Sequence, residues 1–111
     1  MNDDVKKFLV DIIESVNSID QYIGPDKNFT HYSENKMLKR AVEREMEIIG
    51  EAVSRILKIS PEIKITSSRK VIDLRNKVIH AYDAVDDTIM WGIIIRHLPL
   101  LKTEVENLLK S

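Results

Sequence analysis

The chain has 111 residues, 43% hydrophobic and 32% charged, with three Gly, three Pro and no Cys. That length suits one compact domain over residues 1–111, and so few turn residues favour long amphipathic helices over β structure or disorder. The lack of cysteine excludes disulfides, thiolate metal ligands and a cysteine nucleophile. A net charge of −1 excludes the broad positive field of a protein that coats nucleic acid, so any RNA contact must be local.

From Asp4 to Ile23, the residues Val5, Phe8, Leu9, Ile12, Ile13, Val16, Ile19, Tyr22 and Ile23 recur at helical spacing and predict a first helix. Gly24-Pro25-Asp26-Lys27-Asn28 stops it. A second helix is expected from about Ser33, as cap, to Ile59, with the stripe Leu38, Ala41, Val42, Ile49, Ala52, Val53 and Ile56. Gly50 interrupts that stripe and implies close helix contact. Ser60-Pro61-Glu62 ends the helix, and a loop or short irregular segment is expected up to Ser68.

The third helix is expected from Arg69 to Tyr82, and the fourth from Asp86 to Lys110 with Asp86 or Asp87 as cap and Pro99 as a kink or restart. Four helices with short connections predict an all-α, up-and-down four-helix bundle. Helix four carries Ile89, Met90, Trp91, Ile93, Ile94, Ile95, Leu98, Leu100 and Leu101, a wider apolar band than one buried stripe needs. A homodimer using part of that surface is the expectation. No apolar run approaches a bilayer span, and Met1-Asn2-Asp3-Asp4 opens acidic, so no membrane partner and a cytoplasmic location are expected.

In helix three, Val71, Leu74, Val78 and Ile79 gather on one side, and Asp73, Asn76, Lys77 and His80 on the other. Arg75 breaks the pattern from within the apolar sector, with Tyr82 on nearly the same line. A half-buried Arg needs an anion. Glu45 is a similar exception in the stripe of helix two, so pairing the two is one reading of both. His80 lies about 140° around the helix from Arg75, while Asn76 and His80 share a face. Either the helix ends before His80, the Arg side chain curls round, or a second subunit completes the site.

Arg75-Asn76-Lys77-Val78-Ile79-His80-Ala81-Tyr82 resembles R-N-x-x-x-H-x-Y, the motif of HEPN ribonucleases and in particular of the HepT toxins. Ala41-Val42-Glu43-Arg44 with Ile48-Ile49-Gly50-Glu51-Ala52, and Trp91 with Leu98-Pro99, are similar to the second and last helices of that family. The similarity spans about residues 34 to 109. One departure is that Thr66-Ser67-Ser68-Arg69-Lys70 lacks the tryptophan of many relatives.

The resemblance implies a HEPN-like bundle that dimerises, bringing two motifs together, and metal-independent endoribonuclease activity without a cofactor. It implies a partner, an MntA-like nucleotidyltransferase antitoxin, that silences the toxin by transferring AMP to Tyr82.

Cleavage of RNA without a metal needs a base, an acid and a counter-charge. Imidazole ordinarily titrates at about pH 6.5 and serves as either base or acid, so His80 from each of two subunits could supply both. Arg75 would stabilise charge on the phosphate oxygens. Asn76 would orient the phosphate or His80, or be a solvated helix residue. The hydroxyl of Tyr82 is a sensible acceptor for AMP, whose bulk and charge would oppose RNA binding. His31 and His97 do not form a metal set with His80. Arg69, Lys70 and Lys77 either add local positive charge or form a solvated face. The rival reading is a non-catalytic bundle that binds and regulates a nucleotidyltransferase.

Overall fold

The computed structural model describes residues 1–80 and 85–111. The described residues form helices and connecting turns, with no strand among them. Helix α1, Asp3–Ile23, is capped by Asn2, whose Oδ1 accepts the amides of Asp4 at 2.7 Å and Val5 at 3.2 Å. It stops at Gly24, whose φ of 82° is open to a residue without a Cβ. The Val5, Leu9, Ile12, Val16 and Ile19 face is buried.

A short helix α2, Phe29–Glu34, precedes the long helix α3, Lys36–Ile59. The expected start at Ser33 is thus corrected: Ser33 lies inside α2, and Asn35 caps α3 by accepting the Leu38 amide at 3.0 Å. The reason is tertiary. Phe29 and Tyr32, three residues apart, share a face of α2 and both pack on Trp91, with ring centroids 5.7 and 5.4 Å away. That contact favours a turn of helix upstream of Asn35, and the extended backbone at Asn35 then separates the two helices.

The expected loop after α3 holds its place through Ile65, which is buried, and through Thr66, whose amide and hydroxyl donate to Glu104 at 2.9 and 2.8 Å. Helix α4, Ser68–His80, begins one residue before the expected start; Tyr82 lies outside the described residues. The expected fourth helix is two. Helix α5, Asp87–Arg96, is capped by Asp86, which accepts the Thr88 and Ile89 amides at 2.8 and 3.1 Å. Helix α6, Leu98–Lys110, restarts after His97. Pro99 has no N–H to give to the Ile95 carbonyl, and its ring crowds that carbonyl, so the ladder breaks there.

Helix α1 lies against α3 and α6, α4 against α3, and α5 bridges α4 and α6. The core is one cluster in which Val42, Met46, Ile49, Val53 and Ile56 of α3 meet the buried face of α1. Burying each such side chain contributes about 1.5–3 kcal/mol. The all-helical bundle expected from the sequence is borne out; the described residues form six helices because the short α2 precedes the expected second helix and the expected fourth is broken in two.

Candidate active site

The site grows from the contact between α3 and α4. Gly50 is buried on α3 where α4 crosses it. A Cβ at Gly50 would stand 2.7 Å from Cγ of Arg75 and 3.1 Å from the carbonyl oxygen of Val71, and would overlap Cβ of Arg75. The missing side chain is therefore the space through which Arg75 leaves α4. This bears out the close contact expected at Gly50 and identifies its partner.

The guanidinium emerges next to Glu51, the residue after Gly50. Nη2 of Arg75 donates to Oε2 of Glu51, and Nη1 donates to Oδ1 of Asn76 at 2.9 Å. Arg55, one turn further along α3, donates from Nε to the other oxygen of Glu51 at 2.8 Å. One carboxylate thus sits between two guanidinium groups. Its carboxyl is held below the usual glutamate value, chiefly by the Arg55 hydrogen bond, with desolvation opposing and the charge of Arg75 adding to the depression. Nε of Arg75 is buried and has no hydrogen-bond partner among the described residues. A donor left unsatisfied in this way gains by any rearrangement that brings it an anion.

The pairing of Arg75 with Glu45 is corrected. Glu45 instead accepts the hydroxyl of Tyr22 on α1 at 3.0 Å, a bond that raises the Tyr22 hydroxyl above its usual range. Glu51 is the partner that sequence reasoning missed. The available signal was Gly50: a glycine that marks the crossing point also marks its neighbour as the nearest side chain able to meet the arginine.

Arg75 lines an open cleft of about 270 Å³ with Phe8, Ile48, Glu51 and Ile79. Its side chain is 26% exposed, and Asp11, Arg44 and Glu47 also line the cleft. His80 is exposed in the last turn of α4. Asn76 and Arg75 are thus brought together, whereas His80 stays apart, since five residues of helix rotate it about 140° from Arg75. The possibilities that α4 ends before His80 or that Arg75 curls round to it are not realised: the helix runs through His80, and Arg75 turns towards α3. Tyr82, the expected acceptor of AMP, lies outside the described residues.

Of the nine residues of the apolar band in the expected fourth helix, Met90, Ile93, Ile94, Leu98 and Leu101 enter the core, Trp91 packs against it, and Ile89, Ile95 and Leu100 are exposed. Among the described residues no group of three or more His, Cys, Asp or Glu is placed to hold a metal ion, and no helix is long and apolar enough to cross a membrane. His97 has another engagement, with Nδ1 at 3.3 Å from the hydroxyl of buried Ser67.

Comparison with known proteins gives this geometry a family. A family model described as ribonuclease HepT-like matches residues 12–108. A Methanocaldococcus jannaschii protein provisionally named an RNase is 38% identical over 93% of this chain and 94% of its own length. A second protein of that organism, with the same provisional name, is 34% identical over 97% of this chain and 89% of its own. A Thermococcus cleftensis protein provisionally named ribonuclease HepT is 34% identical over 95% of this chain and 96% of its own. No solved structure matches the chain. The match covers the α3–α4 crossing and the Arg75–His80 segment together, and the chain belongs to the HepT-like ribonuclease family.

Proposed function

We propose that the protein is the toxin of a toxin–antitoxin pair, an endoribonuclease that cuts RNA with Arg75, Asn76 and His80 and is neutralised by AMP transfer to Tyr82. The observation that carries the reading is the setting of Arg75. A guanidinium is drawn out of the apolar face of α4, given room by Gly50, steered by Glu51 and Asn76, and left open to a cleft. The buried Nε without a partner and the part-exposed fork leave this arginine able to take a further anion.

In this mechanism an imidazole of His80 takes the proton of a ribose 2′-OH, and that oxygen attacks the adjacent phosphorus. The 5′-oxygen leaves with a proton, and a 2′,3′-cyclic phosphate remains. Arg75 offsets the charge that builds on the phosphate oxygens, for which a planar fork is suited. Asn76 holds the guanidinium through its Oδ1. One imidazole cannot be base and acid in the same step, so a homodimer supplies the second His80. The exposed Ile95 and Leu100 support such an assembly.

An MntA-like nucleotidyltransferase is the partner in this reading. The Tyr82 hydroxyl attacks the α-phosphorus of ATP and pyrophosphate leaves, so the tyrosine becomes an AMP ester. The added negative charge and bulk then oppose an incoming RNA phosphate.

The test is cleavage of a single-stranded RNA by the purified protein in excess EDTA, with the product ends identified by mass spectrometry. New 2′,3′-cyclic phosphate and 5′-hydroxyl ends are expected. Intact RNA, or cleavage that stops in EDTA, contradicts the mechanism.

A further inference from the structure

Arg75 faces one side of α4, and a second opening lies on the other. Between α4 and α5 runs a groove of about 400 Å³ lined by the cations Lys70, Lys77 and Arg96, by His97, by the apolar Leu74, Ile89 and Ile93, and, among the described residues, by one carboxylate, Asp73. The chain as a whole has 17 Lys and Arg against 18 Asp and Glu, so three cations to one carboxylate is a local departure. None of the three cations makes an ion pair among the described residues.

The floor of the groove carries a second, independent feature. Gly92 lies in the middle of α5, where glycine costs about 1 kcal/mol relative to alanine. Its φ is not positive, and a Cβ built on it meets nothing within 4 Å. Neither backbone conformation nor packing requires glycine there, in contrast to Gly50 and Gly24. Gly92 does line the groove. A ligand lying in the groove would account for this residue.

We propose that the α4–α5 groove is a phosphate-binding subsite for the single-stranded RNA flanking the cut. This rests on the nuclease reading and extends it from the scissile phosphate to its neighbours. Lys77 and His80, three residues apart, are neighbours on the surface of α4, so a strand leaving His80 enters the groove at Lys77. Lys70 and Arg96 then meet the next phosphates, and the bare backbone at Gly92 lets the strand lie close to α5. Charge contacts of this kind hold any sequence, since they read phosphate and not base edges.

Two variants test it in different ways: Lys70→Gln/Arg96→Gln removes charge, and Gly92→Leu places bulk in the groove with a good helix former whose Cβ has free space. Both are first checked for an unchanged helical signal and thermal midpoint. Binding of a fluorescent single-stranded RNA is measured against salt by anisotropy. The charge variant is expected to bind about two- to thirtyfold more weakly, with the slope of log K against log salt shallower by about 1.4. Gly92→Leu is expected to weaken binding with the slope nearly kept. Cleavage of a dinucleotide, too short to reach the groove, stays at the wild-type rate in both. RNA affinity and salt slope unchanged in both variants overturn the subsite, as does RNA binding that is intact while binding of the nucleotidyltransferase is lost. Binding reports on the groove whether or not the wild type cuts; absent wild-type cleavage fails the nuclease reading alone.

Discussion

Replacing Gly50 with alanine sets two well-defined effects against each other. In an isolated helix the change is favourable by about 1 kcal/mol. In α3 the new methyl would overlap Cβ of Arg75 and stand 2.7 Å from its Cγ and 3.1 Å from the Val71 carbonyl oxygen. Two of these three atoms, the Arg75 Cβ and the Val71 oxygen, are fixed to the backbone of α4, so a rotamer change cannot relieve the overlap. The two helices must move apart by on the order of 1 Å, and overpacking of this kind costs about 1–3 kcal/mol. The net expectation is a loss of about 0–2 kcal/mol, or a fall in the melting midpoint of roughly 0–8 °C. Activity should fall further than stability, because the same shift withdraws the guanidinium from Glu51. Circular dichroism melts and RNA cleavage at a temperature where the variant is fully folded measure the two effects separately. A Gly50→Ala protein that is more stable than wild type and cuts RNA as fast would refute the reasoning, since it would show that only helix propensity operates at the crossing.

Glu51→Gln keeps the shape of the side chain and removes the charge between Arg55 and Arg75; cleavage should slow while the fold persists, and Arg75→Lys should be no substitute for the forked partner. The same pair gives a pH dependence. The carboxyl of Glu51 is depressed in the folded protein, so the stabilisation it contributes is complete above the unfolded value of about 4.5 and is lost as pH falls through the lower folded value. Urea unfolding of wild type and Glu51→Gln should therefore differ at neutral pH and converge on acidification below about pH 4.5; a gap that widens in acid contradicts the pairing. Asp86→Ala removes the cap that holds two amides of α5 and should cost about 1 kcal/mol in the same unfolding experiment.

The helices were legible because their apolar spacing is local, and so were the stops at Gly24 and Pro99. The division at Asn35 was not. Ser33 and Asn35 are both good caps, and the choice between them depends on Phe29 and Tyr32 meeting Trp91, a contact between residues about 60 positions apart. At the site, Arg75 announced itself as a charge in an apolar sector, and Gly50 as a crossing point. Their relation to each other was the missing step. Glu45 drew attention because it interrupts a stripe, yet its carboxylate serves Tyr22, whereas Glu51 lies about 140° from the stripe's centre, among polar residues, and only the helix crossing shows that it meets Arg75. The groove at Gly92 was equally hidden, since a glycine that packs closely and one that leaves space open look alike in a sequence.

Whether Arg75 and His80 cut RNA is measured by single-turnover cleavage with Arg75→Ala and His80→Ala proteins in EDTA, with folding and assembly state verified. Both variants should keep the fold, because His80 is exposed and the Arg75 side chain is partly so. Cleavage should fall by at least about a hundredfold in each, the size expected for a general acid–base group or a charge-stabilising donor. A folded His80→Ala protein that cleaves RNA at the wild-type rate would contradict the nuclease reading.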